Sequence, residues 1–176
     1  MASQQYVKIQ NTLNPEGQVF HLCRETAEQS FVIRTLLSDF AGTETDFNET
    51  VIPISVSVSD AALAKAFEWA SHKSADNQPA AGPQQPTRTT IQVTPWDEAF
   101  FGAVDAKMLY ELLLATNYLE IKVLYDMCCL MVVRMIRGKN ADEIREALGL
   151  NLELTPEQEA AQQETFLKVG AWNCGI

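Results

Sequence analysis

Four cysteines, two histidines and a line of methionines are the side chains of this 176-residue chain whose types could support nucleophilic or soft-metal chemistry. His21 and Cys23 stand two apart at the end of a stretch that alternates as a strand does, so both point to one face. A thiolate beside an imidazole is what a cysteine nucleophile needs, and the spacing makes that pair geometrically conceivable. A surface histidine beside a core or rim cysteine explains the same two residues, and we prefer that reading. Cys128 and Cys129 are adjacent on an expected helix, so they diverge and cannot easily share a disulfide. Met127, Met131 and Met135 repeat at helical spacing, which fits a core better than a soft-metal site. His72 closes a helix, where its cation suits the dipole. No CxxC, no metal-ligand spacing of His and Cys, no Gly-rich phosphate loop and no GxSxG occurs. The expectation is no catalysis, no metal and no cofactor.

The elements that hold these residues follow from local pattern. Tyr6–Gln10 and Gln18–Leu22 alternate around the turn sequence Asn14-Pro15-Glu16-Gly17, which predicts a hairpin. A short polar helix is expected within Arg24–Gln29. Ser30 caps a further helix whose Ile33, Leu36, Leu37 and Phe40 form one stripe, ended by Gly42. Val51–Ile54 is a short strand placed at a sheet edge or strand end by Pro53. A helix from Ser59 or Asp60 turns Leu63, Phe67 and Ala70 inward, with Trp69 at its margin. Residues of about 73–92, rich in Pro, Ala and Gln, bury too little to offset their ordering entropy and read as a disordered linker.

Order is expected to resume at Thr94, an N-cap before Pro95, with Asp97 and Glu98 suiting the positive end of the macrodipole. Asp105 caps a helix with Met108, Leu109, Leu112 and Leu113 on its buried face, and Tyr110 and Leu114 off it. Glu120–Arg137 is a second long helix, apolar nearly all round and stopped by Gly138. Asn140 and Glu143 make a capping box for a short helix with Ile144, Ala147 and Leu148 as its apolar face. Leu150, Leu152 and Leu154 alternate. Thr155–Gln158 is another capping box, opening a last helix to about Gly170 with a weak apolar stripe. A tail with large apolar residues and a weak stripe suggests folding against a partner.

Composition narrows the partners. A formal net charge of −10 repels the phosphates of nucleic acid and anionic membrane surfaces. The longest uncharged apolar run, Met127–Val133, is too short to span a bilayer. The start, Met1-Ala2-Ser3-Gln4-Gln5, shows no secretory pattern, so reduced thiols in cytoplasm and nucleus are expected.

Several strings together resemble the Skp1 family. They are Glu16-Gly17-Gln18-Val19-Phe20, Ala27-Glu28-Gln29-Ser30, Phe67-Glu68-Trp69, Pro95-Trp96-Asp97 and Leu112-Leu113-Leu114-Ala115-Thr116-Asn117-Tyr118-Leu119-Glu120-Ile121-Lys122. Met135-Ile136-Arg137-Gly138-Lys139 and Asp142-Glu143-Ile144-Arg145 complete the set. The likeness spans nearly the whole chain in register. Elongin C relatives share part of it, but lack the extension that Ile136 to Trp172 supplies here. The linker has Pro, Gln and Ala where the family has an acidic run, the Thr43–Thr50 loop is long, and Trp172 stands about one turn further from its capping box.

The resemblance implies an α+β chain: a BTB/POZ domain over 1–136, then a C-terminal F-box-binding helical extension over 137–176. It implies a non-catalytic adaptor bridging a cullin to F-box substrate receptors in an SCF-type ubiquitin ligase. By the same likeness Asn117 and Tyr118 would contact the cullin. Met135, Ile136, Ile144, Arg145, Leu148, Leu152 and Trp172 would grip the F-box protein. From pattern alone Tyr118 is equally a core tyrosine with a satisfied hydroxyl, and the extension's leucines and isoleucines are equally ordinary internal packing. An alternative of another class is a self-associating scaffold module, a homodimer formed through the apolar Phe31, Val32 and Phe40.

Overall fold

The computed structural model describes residues 6–40, 51–75 and 92–149. The chain divides into two compact units, Met1–Gly138 and Lys139–Ile176.

In the first unit, β1 (Tyr6–Asn11), β2 (Val19–Cys23) and β3 (Val51–Ile54) form a sheet in the order β2-β1-β3. The β1–β2 pair is the expected antiparallel hairpin, with Ile9 opposite Phe20. β3 runs parallel to β1, with Ile9 opposite Ile52. Pro53 is exposed on β3, an edge strand, where its missing donor is harmless. Alternation sends Val7, Ile9, Phe20, Ile52 and Ile54 into the core. Asn11 ends β1 fully buried, and its amide carries the pairing one residue further. Its Nδ2 donates to the Val56 carbonyl at 2.8 Å, and its Oδ1 accepts from the Val56 amide at 3.3 Å.

Helices α1 (Arg24–Ala27), α2 (Phe31–Phe40), α3 (Asp60–Ala75), α4 (Pro95–Gly102), α5 (Ala106–Tyr118) and α6 (Lys122–Ile136) complete this unit. Ser30 caps α2, accepting from the Ile33 amide at 3.2 Å. Asp105 caps α5 through the Met108 amide at 2.7 Å. The buried rank of α5 is Leu109, Leu112, Ala115 and Thr116; Met108 and Leu113 are only half-buried. Small residues thus share the buried rank of α5 with leucines, which large-residue periodicity cannot show.

Three expectations need correction here. Residue 73 is not linker: α3 continues to Ala75. Trp69 is not marginal but buried, and its indole Nε1 donates to Asp97 at 3.0 Å. Asp97 does more than complement a dipole. It forms a capping box with Thr94 and an ion pair with Lys73 at 3.1 Å, with side chains 0% and 5% exposed. His72 stacks on Trp96 at 3.7 Å between ring centroids. Together these contacts join the end of α3 to the start of α4.

In the second unit α7 (Ala141–Ala147) begins with the expected capping box. Asn140 accepts from the Asp142 and Glu143 amides, and Glu143 accepts from the Asn140 amide at 2.9 Å. The expected last helix and its capping box, the Thr43–Thr50 loop, Gly42, Leu152 and Trp172 lie outside the described residues.

Candidate functional site

The turn between α5 and α6 is short and strained in one place. Leu119 caps α5, and Glu120 then takes a left-handed φ of 50°, uncommon for a residue with a side chain. The Ile121 amide returns to the Thr116 carbonyl at 3.0 Å. The second long helix therefore starts at Lys122, two residues later than periodicity suggested. Leu119 and Ile121 are buried on either side of the bend and fix it to the core.

This bend brings Asn117 and Tyr118 to one corner. Asn117 is exposed, and Tyr118 is half-buried with its ring against the core. The Tyr118 hydroxyl accepts from the Ser55 amide at 2.9 Å. Ser55 also pairs its own hydroxyl with that of Thr12 at 2.6 Å. Tyr118 is thus half-buried with a fixed hydroxyl, as the core reading of it requires.

The same helix lines a groove of about 450 Å³, formed with Leu13, Asn14 and the Val56–Ser59 segment. Tyr110 and Leu114 of α5 lie in its wall, and Tyr110 and Leu13 are 63% and 62% exposed. Tyr110, Leu114, Asn117 and Tyr118 fall at i, i+4, i+7 and i+8, one face of α5. Glu111 fixes the opposite wall: it accepts from both the amide and hydroxyl of Ser59, and these bonds hold its carboxyl below the ordinary range. Sequence reasoning placed Tyr110 and Leu114 off the core but gave them no role. Their shared face with Asn117 was the signal available.

A second surface lies on the C-terminal half of α6. Only Leu124, Met127 and Cys128 of that helix are buried. Met131, Val132 and Met135 are partly covered, Ile136 is half-buried, and Val133 is 51% exposed. In the other unit α7 buries no residue; Ile144 and Leu148 are half-buried and Arg145 is exposed, bonded to Asp142 at 3.1 Å. Of the residues expected to grip an F-box protein, Met135 and Ile136 belong to the first unit, and Ile144, Arg145 and Leu148 to the second.

His21 is exposed, while the Cys23 thiol pairs with the Thr26 hydroxyl at 2.9 Å. Burial pushes the Cys128 thiol up to about 12, which keeps it protonated and unreactive. Among the described residues no group of three or more His, Cys, Asp or Glu could hold a metal ion, and no helix is long and apolar enough to cross a membrane.

A small sheet under helices, with partly uncovered apolar helix faces, defines a binding module. The comparisons with known proteins give it a family. Residues 122–165 match the model described as "Skp1 family, dimerisation domain". The "E3 ubiquitin ligase complex SCF subunit sconC" of Talaromyces marneffei is 38% identical over 136 residues, 77% of this chain and 81% of that protein. Its namesake in Arthroderma benhamiae is 37% identical over 161 residues, 90% of this chain and 93% of that one. The Neosartorya fischeri protein of that name is 36% identical over 136 residues. The chain belongs to the Skp1 family, and its α+β architecture is consistent with that family's BTB-like fold and helical extension.

Proposed function

We propose that this protein is a non-catalytic adaptor that bridges a cullin to F-box substrate receptors in an SCF-type ubiquitin ligase. The observation that carries the reading is the α5–α6 bend, which presents exposed Asn117 beside a half-buried, hydroxyl-anchored Tyr118. A rigid aromatic with an adjacent polar group is what an interface anchor requires. The Leu13–Tyr110 groove extends the same face and enlarges the surface available to a cullin. The relatives' printed names, SCF subunits of a ubiquitin ligase, support the assembly.

The residues proposed to touch an F-box protein are Met135 and Ile136 of the first unit and, in the second, Ile144, Arg145, Leu148, Leu152 and Trp172. Burial of the half-covered Met135, Ile136, Ile144 and Leu148 by a partner helix or groove would supply the affinity. Tyr118→Lys is expected to abolish cullin capture in a pull-down while F-box capture persists. Tyr118→Phe removes only the bond from the Ser55 amide, so it controls for local loosening and should keep both partners. Unchanged cullin capture by Tyr118→Lys would reject the assignment.

A second reading is self-association. The matched family model is described as a dimerisation domain, and it includes α6 with Val133 half uncovered. Phe31 and Val32, expected to pair copies, are half-buried, and Phe31 carries the Arg34 guanidinium at 5.2 Å. This shifts the candidate surface from α2 to α6. Sedimentation velocity decides: a stable dimer weakened by Val133→Asp supports it, and a monomer at micromolar concentration sinks it.

A further inference from the structure

We infer that Ser30 is a positioning residue for the cullin-facing corner, holding the α5–α6 bend that presents Asn117 and Tyr118. The inference rests on the adaptor reading just given. Ser30 lies 89 residues from Leu119 in the chain, yet its hydroxyl donates to the Leu119 carbonyl at 2.5 Å. Both residues are buried, at 1% and 0% exposure. Leu119 caps α5 and the left-handed turn at Glu120 follows it, and among the described residues no backbone amide outside the helices donates to the Leu119 carbonyl. The amides that close the bend are used elsewhere: Leu119 and Ile121 donate back to Ala115 and Thr116. Ser30 therefore satisfies a buried acceptor that the bend creates.

The hydroxyl of Ser30 serves a second element at the same time. Its oxygen accepts from the Ile33 amide, and the Ser30 carbonyl accepts from the Arg34 amide at 3.0 Å. One side chain thus ties the start of α2 to the turn after α5. Neither link touches Asn117 or Tyr118 directly. Without the donor, the buried carbonyl gains by turning toward water, and the left-handed Glu120 no longer has an opposing restraint. Apparent affinity falls as the binding-competent bend becomes only fractionally populated.

The test is Ser30→Ala in the full chain. Hydrogen exchange at the Ile121 amide is expected to quicken about tenfold, and cullin affinity to fall about tenfold, with F-box affinity unchanged. A second variant, Leu63→Ala, creates a core cavity on α3 and lowers the melting temperature without removing a hydrogen bond of the bend. It is expected to leave the Ile121 amide and cullin affinity near wild type. Equal cullin loss in both variants would reduce Ser30 to a general stability role and overturn the inference. So would unchanged exchange at Ile121 in Ser30→Ala, a readout that needs no partner. If exchange quickens but Asn117→Lys leaves cullin capture intact, the adaptor assignment of that corner fails, and the inference as stated fails with it.

Discussion

Asp97 is a carboxylate without water. Its Oδ1 accepts from the Trp69 indole, and its Oδ2 from the Lys73 ammonium and the Thr94 amide and hydroxyl, the last at 2.7 Å. Burial alone would raise its pKa, but the bonds from Thr94, Lys73 and Trp69 outweigh that and hold it below the ordinary 3.8. A folded pKa below the unfolded one gives stability that is present above pH 3.8 and lost as pH falls through the folded value. Asp97→Asn leaves Lys73 buried without a counter-charge. It should destabilise the protein by about 3–5 kcal/mol in urea titration at neutral pH. The acid limb of its stability profile should also be shallower than wild type. The local half of this cluster was legible: Thr94, Pro95 and Asp97 spell a helix start. The other half was not. Lys73 and Trp69 stand 24 and 28 residues away, and only tertiary packing decides which charges share a buried site.

Caps set the boundaries of the elements and were the most readable signals in the chain. Ser30, Thr94, Asp105 and Asn140 all act where a short polar side chain before an apolar pattern predicts. The end of α5 was harder to place, because Glu120 carries no local mark of a left-handed turn; glycine would have. α7 depends on its cap more than the others. It spans seven residues and buries none, too short to persist on propensity alone. Asn140→Ala should cost that helix about 1 kcal/mol. Hydrogen exchange across residues 141–148 should quicken, and F-box capture should weaken if α7 contributes to it. Protection unchanged from wild type would show that something other than the capping box holds the helix.

Across the whole molecule, the strands of the hairpin were readable from a period of 2 residues and the helices from one of 3.6, while the α+β class came with the family resemblance. Burial depth was not readable. Trp69 and Asp97 vanish into the core, while Tyr110 and Leu13 stay in solvent, because depth depends on which elements meet and not on hydrophobicity. The proposed partner surfaces share this limit: Asn117 and Tyr118 look unremarkable in composition, and only family likeness singled them out.

The contacts between the end of α3 and the start of α4 have one more consequence, for protein engineering. Trp69, His72 and Lys73 hold Trp96 and Asp97 directly, so residues 76–93 begin and end at a fastened point. Because those ends are joined by buried contacts, lengthening the span between them is expected to cost the core about 0.6 kcal/mol of closure entropy for each doubling. A reporter peptide of similar length spliced between Asp76 and Ile91 should leave the melting temperature almost where it was. The same splice into the Asn14–Gly17 turn, where Asp60 accepts from Asn14 and Gln18, should lower it clearly. The first position is therefore a natural address for a label that must not disturb the core.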